Sequence, residues 1–336
     1  MKSLSRTLFG GHFALLALLC APLAARSAEV TATKTEDTIE FRIGKELVTT
    51  YHFGPKVAKP YFWPLLAPGG VPVTRDWPMK KGAPKETVDH VHQKSAWFCH
   101  GDLIPEGLEL KVKSADKHVT GVDFWSEAPG HGKMKCVKVG NPESSGNSVR
   151  IDTFNEWQTA DGVKILDEQR TIELIDLGES RLLVLYIELE ASTYPITFGD
   201  TKEGSMGVRI RDEMRVKGGN GAIFNSFGKK NEKEIWGREA DWNDYVGKVG
   251  DSEVGLAIFD DPRNPHQAVW HTREYGLMAA NPFGRTKSGF PDRKTQSDLV
   301  KLPKGGHMKL RYGLLIHSGN TEYAKVAEHY KKFTGK

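Results

Sequence analysis

The 336-residue sequence has only three cysteines, Cys20, Cys99 and Cys136, too few for a disulfide-stapled scaffold. Beyond the N-terminus it has no apolar run approaching the roughly 18 residues that a spanning helix needs, which excludes a polytopic membrane protein. It also has little net charge, since 47 Lys and Arg against 43 Asp and Glu give +4. The charges are scattered rather than gathered in a basic stripe, so no nucleic acid partner is expected. Missing too are a Gly-x-Ser-x-Gly nucleophile elbow, a Gly-rich phosphate loop ending in Lys-Ser/Thr, an HExxH and a CxxC. There is no repeat of fixed period and no Gly/Ser linker to divide the chain.

What is present is a globular composition, 38% hydrophobic and 27% charged. Eight Trp, nine Tyr and fifteen Phe supply a large core and a binding surface besides. Residues 1–28 read as a secretory leader: Lys2 and Arg6 come first, Leu8 to Leu19 follow as an apolar core, and small residues end near Ser27 or Ala28. Without that leader, which holds three cations and no acids, the net charge falls to +1. The protein is therefore expected to be periplasmic or secreted, with no membrane contact beyond the cleaved leader. In that compartment Cys99 and Cys136 are free to pair or to stay as thiols, and spacing does not decide between them.

Short runs rich in β-branched and aromatic residues recur between turn signals: 38–43, 47–53, 108–113, 119–125, 148–157, 164–175, 181–190, 206–211, 221–227, 254–261, 268–278 and 307–318. Several alternate apolar and polar residues, as half-buried antiparallel strands do. At the end, Tyr323, Val326, Ala327, Tyr330 and Phe333 fall on one face of a predicted helix over 320–333, with Asn320 or Thr321 as N-cap. The expectation is all-β: one large antiparallel two-sheet sandwich over 29–336 with a single C-terminal helix. Residues 54–107 read as the least strand-like stretch, a loop-rich insertion of the kind that carries function.

Three segments concentrate chemistry. In 89–102, His90, His92, Gln93, Trp97, His100 and Asp102 crowd together; in extended backbone His90 and His92 leave on one face. They suit general acid/base work, with an Asp orienting an imidazole, or a metal, or equally the loop's own backbone. In 268–284, an extended 269–276 puts His271, Arg273 and Tyr275 on one face, with Asn281 to Gly284 as a closing turn. In 231–247, Trp236, Arg238 and Trp242 share parity and suggest either a sugar-stacking platform or ordinary core. Two further pairs, Glu168 with Arg170 and Arg209 with Arg211, share strand faces as ion pairs or cleft polarity.

Taken in order, RDWP with DHVHQKSAWFCHGD, then EGSMGVRIRDEM, WGREADWNDYVG and GLAIFDDPRNPHQAVWHTREYGLMAANPFG resemble the bacterial PmoA-like family over roughly 38–333. That family's opening has two adjacent histidines followed by Arg, where this chain reads His90-Val91-His92-Gln93-Lys94. The label refers to a methane monooxygenase subunit, a membrane protein, so methane oxidation is not expected here. The layout also looks like the mutarotase-type supersandwich of many carbohydrate enzymes, an analogy of fold rather than function.

The reading is an exported carbohydrate-active protein with a glycan or small sugar as partner, an enzyme (hydrolase, lyase or epimerase) acting on glycosidic or hemiacetal chemistry. His90, His92 and His271 would be acid/base groups, Arg273 and Tyr275 would bind or polarise the substrate, and Trp97 or Trp236 would stack on the sugar. Gln93, His100, Asp102, Glu168, Arg209, Arg238 and Asn281 complete the expected lining. No cofactor is expected. The rivals are a non-catalytic glycan-binding module and a metalloenzyme with a divalent ion on His90 and His92.

Overall fold

A computed structural model describes residues 28–81 and 86–336. The expected leader therefore lies outside the described residues, apart from Ala28. Two nine-stranded antiparallel sheets form the molecule. The first runs Val30–Lys34, Thr38–Ile43, Glu46–His52, Tyr61–Ala67, Ala96–His100, Gly204–Arg209, Leu277–Asn281 and Val269–Thr272, with Val71–Pro72 added on Tyr61–Ala67. The second runs Ala222–Asn225, Trp242–Val249, Ser252–Asp260, His307–Ser318, Ser180–Glu190, Lys164–Asp176, Ser148–Gln158 and Lys133–Val139, with Glu143–Ser145 added on Ser148–Gln158. A small third sheet joins Val300–Leu302, Ile196–Phe198 and Leu103–Pro105.

The period-2 pattern explains which faces meet. In Ser148–Gln158, Val149, Ile151 and Trp157 are buried while Arg150 is exposed. Across the sandwich Phe98 of the first sheet meets Trp157 and Tyr312 of the second, with ring centroids 6.2 and 6.1 Å apart. Each such aromatic removes roughly 150–250 Å² from water, so these rings dominate the cohesion of the two sheets. Between the layers lies one charged pair, Arg170 Nε and Glu168 at 2.6 Å, both fully buried. The Arg170 guanidinium sits over Tyr51 and Phe98, and the Trp157 indole N–H donates to Glu168 at 2.8 Å.

The outer face of the second sheet is half covered. The helix Val326–Thr334 lays Val326, Tyr330 and Phe333 on Leu182, Val184, Phe259 and Leu315. It starts six residues later than expected because Asn320 accepts hydrogen bonds from the Glu322 and Tyr323 amides and holds 320–323 in a turn. Tyr323, placed on the buried face by periodicity, is exposed for the same reason. A second helix, Asn231–Ile235, falls within 231–247 and was not expected.

Two predicted strands are loops. At 119–125, the Thr120 and Gly121 amides are taken by the Asp102 carboxylate and those of Trp125 and Ser126 by Asp123, so pairing stops at a single bridge between Val122 and Leu103. At 108–113 the alternating residues find no partner strand, and only Leu108 and Leu110 rest on the core. Conversely 54–107 contains Tyr61–Ala67, Ala96–His100 and Leu103–Pro105. Ala96–His100 is buried on both faces, which erases the alternation that marks a half-buried strand. Cys99 and Cys136 are both free thiols.

Candidate functional site

The side of the first sheet that faces away from the sandwich carries Trp97, Cys99, Ser205, Gly207 and Arg209, as the register of the two central strands dictates. Loops cross over it. Gly207 is where they come closest: a Cβ there would lie 2.9 Å from Trp97 and 3.1 Å from Trp125. The two indoles meet edge to face at 5.0 Å and are sealed from solvent. Trp97, expected to stack on a sugar, is therefore the floor beneath the loops.

On that floor the loop 86–95 is tied down by cations. Arg75 donates to both the Asp89 carboxylate and its backbone carbonyl, and to the carbonyls of Thr87 and His90. Arg209 donates to Asp89 at 3.0 Å and to the Gln93 side-chain oxygen. Burial alone would push the Asp89 carboxyl up, yet Arg209 and Arg75 hold it at about 2, so it is ionised. Burial and the neighbouring Arg75 bring Arg209 itself down to about 10. Nearby, Lys59 and Lys94 both bind Glu127, at 2.9 and 2.6 Å, and against burial bring its carboxyl to about 2.

This anchoring sets the histidines. His90 adopts a left-handed backbone, φ 41°, in a turn and not the extended run expected. Its Nδ1 lies 3.0 Å from the Asp89 carboxylate, and its ring stacks on Tyr275 at 5.3 Å, nearly parallel. His92 lies edge-on to His90 at 5.6 Å. Burial first, then the Lys59 charge, push His92 down to about 3, so its ring is neutral. The segments 89–102 and 268–284 thus meet through His90 and Tyr275.

The expected single strand over 269–276 is instead a hairpin. Val269–Thr272 and Leu277–Asn281 pair, and 273–276 is the turn, closed by the Gly276 amide on the Arg273 carbonyl with Gly276 at φ 104°. His271, Arg273 and Tyr275 therefore do not share one strand face. Tyr275 and Arg273 project from the turn towards His90: Arg209 and Arg273 lie 4.7 and 5.7 Å from the Tyr275 ring, and Arg273 pairs with Glu232 at 2.8 Å. Burial raises the Tyr275 phenol, which also bonds Gln93. His271 is buried in the sheet with Nδ1 on the Lys202 carbonyl at 2.9 Å, and burial pushes it down to about 3.

The residue after Lys202 was missed by the reading of the sequence. Glu203 is partly buried at the start of the strand Gly204–Arg209, and burial raises its carboxyl to about 7. Among the described residues no side chain hydrogen-bonds or pairs with that carboxyl. It lies near enough to Arg273 for that charge to pull its pKa down slightly, and to Tyr275 to push the phenol up. The available signal was its place at the head of EGSMGVRIRDEM, a motif read only for its arginines.

Other expected lining residues lie elsewhere. His100 is buried, its Nε2 on the Gly199 carbonyl, its ring against Phe283 and its pKa lowered by burial to about 4. Asp102 caps the Thr120 and Gly121 amides, and Asn281 accepts the Phe283 and Gly284 amides. Glu168 is the interior partner of Arg170. Trp236 packs on Phe290, Arg238 pairs with Asp292, and Trp242 begins a strand under the C-terminal helix, so these three form no common platform. Arg211 pairs with Asp76 and Glu213. Among the described residues no group of three or more His, Cys, Asp or Glu is arranged to hold a metal ion. No helix among them is long and apolar enough to cross a membrane.

Fold and site together define a large antiparallel β-sandwich protein with a cluster of imidazole, carboxyl, phenol and guanidinium groups outside one sheet. Residues 38–331 match the family of unknown function DUF6807, and the chain belongs to it. No curated protein matches the sequence. Among solved structures, the galactose 1-epimerase of Lactobacillus acidophilus NCFM aligns at 8% identity and TM-score 0.40, covering 88% of this chain and 100% of the epimerase. The GH36 α-galactosidase AgaA of Geobacillus stearothermophilus aligns at 7% identity and TM-score 0.41 over 88% of this chain, which spans only 42% of the galactosidase. An α-galactosidase from Lactobacillus brevis gives 9% identity and TM-score 0.39, over 87% of this chain and 40% of that one.

Proposed function

We propose that the polar cluster outside the first sheet binds a sugar and moves protons on it, at a hemiacetal or a glycosidic bond, in a protein exported on its leader. One observation carries this reading: an unpaired carboxyl with a pKa of about 7, Glu203, lies within electrostatic reach of Tyr275, whose ring stacks on His90 next to an ionised Asp89. Glu203 is protonated below about pH 7 and serves as the donor to a sugar oxygen. His90, with Nδ1–H on Asp89, presents Nε2 as the acceptor, and the Asp89 charge stabilises the imidazolium that forms. In anomer exchange the base takes the anomeric hydroxyl proton while the acid protonates the ring oxygen; the C1–O5 bond opens and recloses on the other face. His92, held neutral, adds a hydrogen-bond acceptor, and Arg273 and Tyr275 contact the ring hydroxyls.

This chemistry needs no cofactor. The PmoA-like motifs are read as marks of the family and not of methane oxidation. A glycan-binding module without turnover is the second reading, favoured by one fact: the cavity of about 640 Å³ on the second sheet is lined by none of these residues. The experiment is incubation of wild type and Glu203→Gln with free aldoses and an oligosaccharide library, read by anomeric NMR and product mass, with and without chelator. Turnover that Glu203→Gln abolishes and chelator spares supports the reading. Glycan binding with no conversion of any substrate replaces it with the module, and loss of turnover to chelator replaces it with a metalloenzyme.

A further inference from the structure

The second sheet carries its own cavity on the opposite side of the molecule. The helix Val326–Thr334 covers only part of the outer face, and past its C-terminal end the sheet lies open in a cavity of about 640 Å³. Strand register dictates what faces it. Thr171, Tyr186 and Arg311 form one cross-strand row, and Gln169, Glu188 and Lys309 form the next. Neighbouring strands are ~4.8 Å apart, so the two rows set side chains at a regular spacing along the groove.

The charge around this cavity is one-sided. Arg150, Arg263, Lys309, Arg311 and Lys332 line it, against the carboxylates of Asp261 and Glu188 alone. Both carboxylates are spent on the protein's own cations. Asp261 receives Arg263 at 2.7 Å and Arg311 at 2.7 Å, and Glu188 receives His307 at 3.1 Å and Lys309 at 3.4 Å. Arg150 and Lys332 form no ion pair among the described residues, although the register sets Arg150 across from Glu143 and Glu173. Arg311 is fixed in place by the Phe333 carbonyl and the Phe333 ring, 3.9 Å from its guanidinium. Between Arg150 and Arg311 lies the ring of Tyr186, 5.8 and 5.2 Å from the two guanidinium carbons. The Tyr186 hydroxyl is turned away onto Glu173 at 3.1 Å, leaving the ring as a flat wall.

We infer that this groove is a second binding site, for an acidic saccharide whose carboxylate or sulfate groups meet Arg150 and Lys332 while its rings lie along the Tyr186 and Thr171 row. Hydroxyls find Gln169 and the cross-strand polar groups, and the anionic groups find cations that the fold leaves unpaired. The site shares no residue with the cluster around His90, so it stands whether or not that cluster turns over a sugar.

The test is calorimetric titration of the protein with three tetrasaccharides of equal length: an oligogalacturonate, a sulfated oligosaccharide and a neutral galacto-oligosaccharide. The acidic probes should bind, more weakly as salt is raised, and the neutral one should not. Arg150→Ala and Lys332→Ala, both at surface positions, should each weaken binding about fivefold and together at least about tenfold, while His90→Ala leaves it unchanged. Binding of the carboxylated probe alone or the sulfated probe alone identifies the anionic group and supports the site. The inference is overturned if neither acidic probe binds, if the neutral probe binds as well as they do, or if the double variant binds like wild type. It is overturned equally if binding is lost in His90→Ala, which would put the anion at the other cluster.

Discussion

At the scale of single residues, burial without a partner and burial with one have opposite uses here. Glu203 is burdened by burial that the nearby Lys202 and Arg273 charges offset only in part, so its carboxyl keeps its proton to about 7. If it is the proton donor, turnover should be high below pH 7 and fall as pH rises through that value. Glu203→Gln should lower turnover by roughly 10²–10⁴-fold and remove that alkaline limb from the pH–rate profile. A limb that persists in Glu203→Gln would assign it to another group. Glu168 is the opposite case: its carboxylate is fully buried but met by Arg170 and by the Trp157 indole. Replacing it with Ala strands the Arg170 charge between the sheets and should cost about 3–5 kcal/mol, read by urea denaturation. Exchanging both residues for Met should cost far less, since no buried charge is then left alone.

At the scale of elements, strands with alternation or a long apolar run were legible, and a short one set among polar residues was not. Ser148–Gln158 alternates and Ser180–Glu190 carries a long apolar run, although much of it is buried on both faces; Ala96–His100, five residues buried on both faces, looks like loop. The crowding of His90, His92 and Gln93, and its meeting with Tyr275 and Arg273, could be read from residue type. The hairpin turn at 273–276 could not, because it depends on which strand Leu277–Asn281 pairs with. Glu203 was invisible for a related reason: a lone Glu is ordinary until the fold denies it a partner. The C-terminal helix shows the same dependence, since its start is fixed from outside. His317 bonds Asp244 at 3.1 Å, both fully buried, and Thr321 donates to the same carboxylate at 2.7 Å. Burial pushes His317 down, but the Asp244 charge and hydrogen bonds outweigh it and raise its pKa. A group whose folded pKa is raised stabilises fully below its unfolded value, about 6.5, and that contribution is lost as pH rises through the folded value. Amide exchange of 326–334 should therefore quicken above neutrality by more than the intrinsic pH effect, and His317→Gln should abolish the excess. An unchanged excess in that variant would remove His317 as its source.

Over the whole molecule, displaced titrations of both signs combine into one stability profile. Asp89 and Glu127, each held at about 2 by two cations, stabilise above the unfolded carboxylate range, and that stability is lost as pH falls towards 2. His92 and His271, pushed to about 3, and His100, pushed to about 4, are neutral in the fold but would protonate below about 6.5 when unfolded. Each makes stability rise with pH over that interval. Glu203 and Asp260 oppose them. Burial raises both to about 7, so between roughly 4 and 7 the folded state holds two protons that the unfolded chain has released. Burial also lowers His52, His266 and His329 and raises Asp102, so histidines outnumber carboxyls and leave a net rise from about pH 4.5 to 6.5, steepening below as Asp89 and Glu127 join it. Above 6.5 the histidine contribution is complete, the two carboxyls finish ionising and His317 gives up its proton, so stability turns down. The melting temperature should peak near pH 6.5. In His271→Gln the acid-side slope should fall by about one proton, while the alkaline decline stays. A maximum at or below pH 4.5 would mean that the buried histidines are not held neutral in the fold.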